Sequence, residues 1–355
     1  MTEPKSEGLD ARQSSTPSLK AEQTSHDNEL QVYPIRLGLV CIVRELRPYG
    51  IYSCHTATIG PAEAGGLSYV YDKVQLNLQH LMTSLVYCDA HGIRFYRISS
   101  DLLPLWSTPG YSQSGYDLRP FRKLFKEIGR FAHDRGIRLT MHPDQMLQIG
   151  AEREEVYQNT VGDLEKHYQI MKMLGHKPKE GSVFILHGGG TYGDRTATLR
   201  RWEERWKQLP SHIRPFICLE NDEFSYGVDH LLPFCERLGI PFCLDFFHNK
   251  ISHDQVIIDL PLLIRIKDTW KNHGGIPKFH FSRQEPNERR GRHSETVQSI
   301  PRSILHIPRL LRCPVDIMIE AKDKDISVNY LHHKYFDMRV DETGHVEHLL
   351  KEEYR

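Results

Sequence analysis

Six short apolar runs in this chain each stop on a residue able to bind a metal ion. IRLTMH stops at His142, SVFILH at His187, PFICLE at Glu220, IPFCLD at Asp245, IPKFH at His280 and DIMIE at Glu320. Taken singly, each of these residues reads equally well as a surface or capping residue. Three His, two Glu and one Asp at six successive ends read as a polynuclear metal site. Imidazole nitrogen and carboxylate oxygen suit Zn²⁺ or Mn²⁺, and the absence of Cys from the set argues against a closed structural zinc site. The D-x-x-H of Asp245 and His248 can place a further ligand on the loop above the sixth run, and His293 is another candidate. Eight ligands exceed the need of one ion, so two or three ions are expected, with Glu220 and Asp245 suited to bridge them. Such a cluster polarises phosphoryl oxygens, makes a hydroxide at neutral pH and stabilises a leaving oxygen.

The elements that must position these residues are legible in outline. The runs have strand length and composition, and most intervening stretches read as helices, which implies a parallel sheet. The first strand is IRLGLVCIV, followed by a long Gly/Pro/Tyr segment over 44–71 and a helix near 72–91. The remaining strands are placed at 93–99, 137–142, 182–187, 215–220, 240–245, 277–281 and 315–320. Helices are expected near 119–135, 153–174, 194–208, 226–238, 259–272 and 297–311, with Gly175 and Gly239 as stop signals. Eight β/α units predict a (β/α)8 TIM barrel, whose C-terminal strand ends converge on one face. Residues 1–31 are polar and expected to form a disordered N-terminal tail. The barrel domain is expected over 32–325, and 326–355 as a C-terminal extension packed on the barrel or partly disordered.

Composition bounds the partners. Lys plus Arg equals Asp plus Glu at 46 each, so no whole-protein positive field exists, and any attraction for nucleic acid must be local. A local patch is available in Lys278, Arg283, Arg289, Arg290, Arg292, Lys322 and Lys324, which could contact phosphates. Tyr49, Tyr52 and Trp106 lie on loops of the same face and either stack on bases or pack locally. The 21 His are many for 355 residues, and the seven Cys are scattered without a C-x-x-C pair, as expected of free thiols in a reducing compartment. No apolar run reaches the roughly 18 residues of a membrane span, and no signal peptide is visible, so a soluble intracellular protein is expected.

The chain resembles the UV damage endonucleases, metal-dependent (β/α)8-barrel repair enzymes. The motifs that carry the resemblance are RLGL-x-C at 36–41, YRISSDLLP at 96–104, MHPDQ at 141–145, LHGGG-x-YG at 186–193, LEND-E at 219–223, LD-x-x-H at 244–248, PK-x-H-x-S at 277–282 and IEAK-x-K at 319–324. They occur in order over about residues 35 to 325 and fall on the expected strand ends. The resemblance implies that His142, His187, Glu220, Asp245, His248, His280, His293 and Glu320 are metal ligands, with Glu220, Lys278 and His280 at the catalytic centre. It further implies that the Lys278 amine can be carboxylated; a phosphate contact is the plainer alternative. Gln145 matches a residue that probes the damaged strand. Met146 stands where some members have a Tyr wedge, and Leu39 where some have a first-strand Tyr, so lesion preference is where this chain departs from the pattern. Asp101 occupies a place where some relatives have a His near the metals, and is either an outer ligand or a cap.

Other readings are weaker. GGGTYG at 188–193 satisfies G-x-G-x-x-G after a strand, but a dinucleotide-binding oxidoreductase explains none of the other strand ends. A metal-dependent sugar isomerase or epimerase of the related barrel class also uses Glu, Asp and His at strand ends, but needs fewer ions and no Arg-rich loop. HGGG without G-x-S-x-G does not make a serine hydrolase. The expectation is a DNA repair endonuclease that nicks damaged double-stranded DNA 5′ of cyclobutane dimers and 6-4 photoproducts. The expected mechanism is in-line attack of a metal-bound hydroxide on phosphorus, and the resemblance implies 3′-hydroxyl and 5′-phosphate ends. Mn²⁺ is the expected ion, with Zn²⁺ or Mg²⁺ as alternatives. No nucleotide cofactor and no membrane partner are expected, and the protein should be a monomer. It would sit in the cytoplasm or nucleoid of a bacterium, or the nucleus or an organelle of a eukaryote.

Overall fold

The computed structural model describes residues 32–106 and 116–355. The expected tail over 1–31 and most of the loop at 104–116 lie outside the described residues. Eight parallel strands close a barrel in chain order: β1 (Ile35–Val40), β2 (Phe95–Ile98), β3 (Arg138–Met141), β4 (Phe184–His187), β5 (Ile217–Glu220), β6 (Phe242–Asp245), β7 (Lys278–Phe281) and β8 (Val315–Ile319). The expected TIM barrel is therefore the observed fold. Most strands are only four residues long and buried along their length, which is why they read as continuous apolar runs rather than alternating ones.

The helices are α1 (Ile59–Ala90), α2 (Arg122–Asp134), α3 (Glu154–Leu174), α4 (Arg195–Gln208), α5 (Val228–Leu238), α6 (Phe246–Ile251), α7 (Leu260–Thr269), α8 (Arg302–Leu305), α9 (Ile307–Leu311) and α10 (Asp325–Tyr335). Gly175 and Gly239 end α3 and α5 at φ 80° and 68°, the left-handed conformation that glycine adopts without strain. Three expectations are corrected. The first helix starts at Ile59, well before residue 72, and is kinked at Gly66 (φ 63°). A single helix over 297–311 does not form; α8 and α9 replace it, because Pro301 and Pro308 lack the N–H that a continuous helix needs. Asp325, the expected end of the barrel domain, is instead the first residue of α10, which follows β8 and buries Val328, Leu331 and Tyr335.

Beyond α10, β9 (Phe336–Val340) and β10 (Val346–Leu350) form an antiparallel hairpin. It docks on the turn between α1 and β2, where Arg94 donates to the Val346 carbonyl at 2.7 Å and His348 to the His91 carbonyl at 2.9 Å. Tyr33–Arg355 make one compact unit.

A buried charge cluster spans β8, β1 and β3. Arg36 makes two bonds to Asp316, at 2.6 and 2.8 Å, and Arg138 makes a third at 2.7 Å. Asp316 is wholly buried and sits in register with Arg36 on one side and Lys278 on the other. None of these charges can leave without stranding another.

Candidate metal centre

Strand register sets the site. His187 of β4 pairs with Glu220 of β5, and Asp245 of β6 pairs with His280 of β7, so each His stands beside a carboxylate from the neighbouring strand. Asn221, one residue past β5, ties the two halves together. Its side chain donates to the Asp245 carbonyl at 3.1 Å and accepts from the Asp245 amide at 2.9 Å. His142 and Glu320 lie one residue past β3 and β8. The D-x-x-H spacing has a local cause: Asp245 caps α6, its Oδ1 accepting from the His248 amide at 2.7 Å. One helical turn thus brings the two side chains of the motif together.

Glu220 lies at the centre. His280 Nδ1 is 2.6 Å from its Oε1, and His142 Nε2 and His187 Nε2 are 3.0 and 3.9 Å from its Oε2. Glu320 is 2.5 Å from Arg97 Nη1, with His280 Nδ1 at 3.4 Å and His293 Nδ1 at 3.5 Å. His248 Nδ1 stands at ion-pair distance, 2.7 Å, from Glu223. Lys278 is buried beneath the cluster, its Nζ 3.4 Å from Thr140 Oγ1 and 5.2 Å from the centre of the Phe95 ring.

The electrostatics follow from burying so many ionisable groups together. Burial by itself raises the Glu220 carboxyl, but the imidazoles of His280 and His187 outweigh it and hold the group well below the usual carboxylate range. Glu320 is likewise held low against its burial, chiefly by Arg97 and then His280. Asp245 goes the other way: burial, with Glu220 and Glu320 nearby, pushes it well above its ordinary value despite His248. Burial lowers His187 and His280 to about 4, so both are neutral and free to coordinate at pH 7. His248, against its burial, is raised to about 10 by Asp245 and Glu223. Burial depresses the Lys278 amine to about 8.

The donor set fits divalent ions. His187 Nδ1, Asp245 Oδ2 and His280 Nε2 are buried with no hydrogen-bond partner, a costly state that coordination would relieve. Three groups have donor atoms within 4.8 Å of one another: His142 with His187 and Glu220, Glu220 with Asp245 and His248, and Asp245 with His280 and Glu320. Glu220 and Asp245 are each shared by two groups. Seven of the eight expected ligands are thereby brought together. The eighth, His293, is adjacent. A hairpin-like turn pairs Gln284 with His293 and puts its ring 5.6 Å from that of His248.

A cleft of about 1140 Å³ opens above the cluster. Gln145 and Met146 stand exposed on its rim, and Asp101, Arg289 and Arg290 also line it. Arg290 is anchored, however, donating to the Ile251 carbonyl and lying 2.6 Å from His253. Arg283 and Arg292 do not line the cleft: Arg283 bonds Ser299 and Arg292 pairs with Glu288 at 3.1 Å. Lys278 is fully buried, which removes the phosphate-contact alternative. Trp106 is buried against Tyr116, and Tyr49 and Tyr52, though exposed, lie outside the cleft lining.

Sequence reasoning assigned no task to Arg97, Asn221 or Glu223, although each lies inside a quoted motif. The available signal was a charged or amide side chain embedded in an apolar strand or directly following a ligand. Glu223 orients His248 from behind, and such partners are worth roughly 10- to 100-fold in metal affinity. Glu223→Ala is therefore expected to weaken Mn²⁺ binding by about that factor. Calorimetry giving the parent Kd would overturn the assignment.

A (β/α)8 barrel whose C-terminal face gathers imidazoles and carboxylates into overlapping donor sets is a barrel enzyme with a centre that could hold several divalent ions. Which family it falls in is given by comparison. The model of the UV-endonuclease UvdE family matches residues 35–348, and the chain belongs to that family. It is 43% identical over 320 residues to a candidate UV-damage endonuclease of Acanthamoeba polyphaga mimivirus, covering 90% of this chain and 97% of that one. It is 35% identical over 251 residues to the UV DNA damage endonuclease of Bacillus pumilus, covering 70% and 77%. Among solved structures, SacUVDE matches with a TM-score of 0.72 and 28% identity, over 84% of this chain and 96% of that one. Among the described residues no helix is long and apolar enough to cross a membrane.

Proposed function

We propose that this chain incises damaged duplex DNA on the 5′ side of UV photoproducts, by hydrolysis at a centre of two or three divalent ions, with Mn²⁺ as the expected species. The observation that carries the reading is the sharing of Glu220 and Asp245 among three donor sets. Carboxylates shared between neighbouring donor sets can link adjacent ions, as a two- or three-ion centre needs. Ions bound there supply a nucleophile at neutral pH and neutralise charge on the phosphoryl and leaving oxygens.

The chain's own residues do the rest. Neutral His187 and His280 present lone pairs, Glu220 and Glu320 present negative charge, and Asp245 would add a carboxylate once it gives up its proton on ion binding. Arg97 keeps Glu320 aimed at the cluster. His293, on the turn that also carries Arg289, covers one side of the cleft. Gln145 and Met146 project from the rim, where they can enter a duplex weakened by a lesion; apolar wedges unstack bases in this way.

The test is an end-labelled duplex carrying one cyclobutane dimer, incubated with protein and Mn²⁺ beside an undamaged duplex and an EDTA control. A metal-dependent nick just 5′ of the dimer is expected. No nick from protein shown to bind Mn²⁺ would overturn the reading. The buried Lys278 amine, which among the described residues bonds only to Thr140 at 3.4 Å and faces no carboxylate in an ion pair, is also expected to carry a carboxyl group, as the resemblance implies. Native intact mass should then exceed the sequence mass by one carbon dioxide and fall to it in Lys278→Met; equal masses for both proteins after allowing for the substitution would refute the modification.

A further inference from the structure

Phe224 is a large aromatic residue left 67% exposed at the mouth of the metal cleft. Isolated exposed apolar side chains are common, but this one stands on a turn tied down from within. It sits on the short turn after β5, and the Asp222 carboxylate ties that turn down. Asp222 accepts from the Phe224 amide at 2.8 Å, from the Ser225 amide, and from the Tyr226 amide at 3.2 Å, while its own amide donates to the Tyr226 carbonyl at 2.9 Å. The backbone of the turn is therefore fixed, and with it the direction in which the Phe224 side chain leaves the chain. The Arg290 guanidinium lies over it, 5.8 Å from the ring centre, and is itself anchored to Ile251 and His253. An aromatic plate braced by a cation and open to the cleft is built to receive a flat partner.

The cleft's other exposed apolar rim residue, Met146, is 71% exposed and has no planar face. Met146 can part a base step, but a base turned out of the stack still needs a flat surface to lie on. We propose that Phe224 supplies it: a nucleobase at or beside the lesion leaves the duplex and stacks on the Phe224 ring, making Phe224 a substrate-binding and specificity-determining residue. This rests on the DNA-incision reading above. Phosphate contacts carry no such requirement for a ring, so Phe224 serves base recognition and Arg289 backbone attraction.

The test uses the full chain and dimer-containing duplexes in which 5-iodouracil replaces single thymines around the lesion, on both strands. Irradiation is expected to crosslink at least one position to the peptide containing Phe224, and Phe224→Leu should lose that crosslink. Phe224→Ala should raise KM by about 5- to 100-fold, as expected for one lost base stack, with the loss falling on KM. Phe224→Trp should restore the parent value, and Phe224→Leu, apolar but not planar, should not. Because the side chain is exposed, melting temperatures should match the parent. If the parent nicks the dimer duplex while no position crosslinks to this peptide, or Phe224→Ala keeps the parent KM, this inference is wrong and the incision reading stands. A parent that binds Mn²⁺ but does not nick overturns both.

Discussion

Glu220→Gln is expected to abolish incision while leaving the barrel folded. Glu220 is 1% exposed, and its two oxygens meet three imidazoles contributed by three other strand ends. Its charge belongs to two of the three donor groups, so its loss disables two ion positions together. Metal assistance of this kind contributes several kcal/mol to a transition state, and at about 1.4 kcal/mol per decade the expected loss is at least about 10³-fold in kcat/KM. The amide keeps the shape of the side chain, and His187 and His280 are already neutral without metal, so the metal-free protein should melt near the parent temperature. The rise in melting temperature that Mn²⁺ gives the parent should shrink in the variant, since only binding to the folded state produces it. A Gln variant that nicks at the parent rate would show that Glu220 is not a ligand.

Asp316→Ala should be the most damaging change away from the cleft. Asp316 is fully buried and neutralises both Arg36 and Arg138. Removing it leaves two guanidiniums facing each other; Arg36 keeps partial access to water, with 26% of its side chain exposed, but Arg138 at 5% does not. Breaking a buried pair this way costs about 3–5 kcal/mol, which for a domain of this size lowers Tm by on the order of 5–10 °C. The same cluster sets part of the acid limit. Burial raises the Asp316 carboxyl, but Arg36 and then Arg138 outweigh it and hold its folded pKa below the ordinary value. Its contribution is thus fully present above about pH 4, the unfolded value, and is lost as pH falls through the lower folded one. Burial draws Arg138 below its ordinary value against the pull of Asp316, yet a guanidinium still titrates far above neutrality, so the carboxylate governs this window. Chemical denaturation at pH 7 and pH 3 should show the Ala penalty narrowing at the lower pH; an equal penalty at both would contradict the assignment.

The barrel and most of the candidate site were legible because both depend on local features. Short, fully buried strands must be apolar along their length, so a His, Glu or Asp at the end of one stands out. The positioning residues were harder to see. Arg97 is one charge among many until β1–β2 and β8–β1 pairing bring it to Glu320. The break of the last expected helix into α8 and α9 follows from Pro301 and Pro308, both plain in the sequence. The early start of α1 was hidden by Gly60, Gly65 and Gly66, which read as loop although they sit inside the helix.

Amino-acid order by itself determined which side chains could coordinate and that they would share one face, because each follows a strand in a β/α repeat. Only the tertiary structure decided which carboxylates are shared. That depends on register between strands far apart in sequence, which pairs His187 with Glu220 and Asp245 with His280. It also decided which cations face the cleft. Arg283, Arg289, Arg290 and Arg292 are alike in sequence, yet Arg283 and Arg292 turn to Ser299 and Glu288, Arg290 is held by Ile251 and His253, and Arg289 stands exposed at the cleft. A loop side chain points wherever its nearest folded partners allow, and no spacing rule encodes who those partners are.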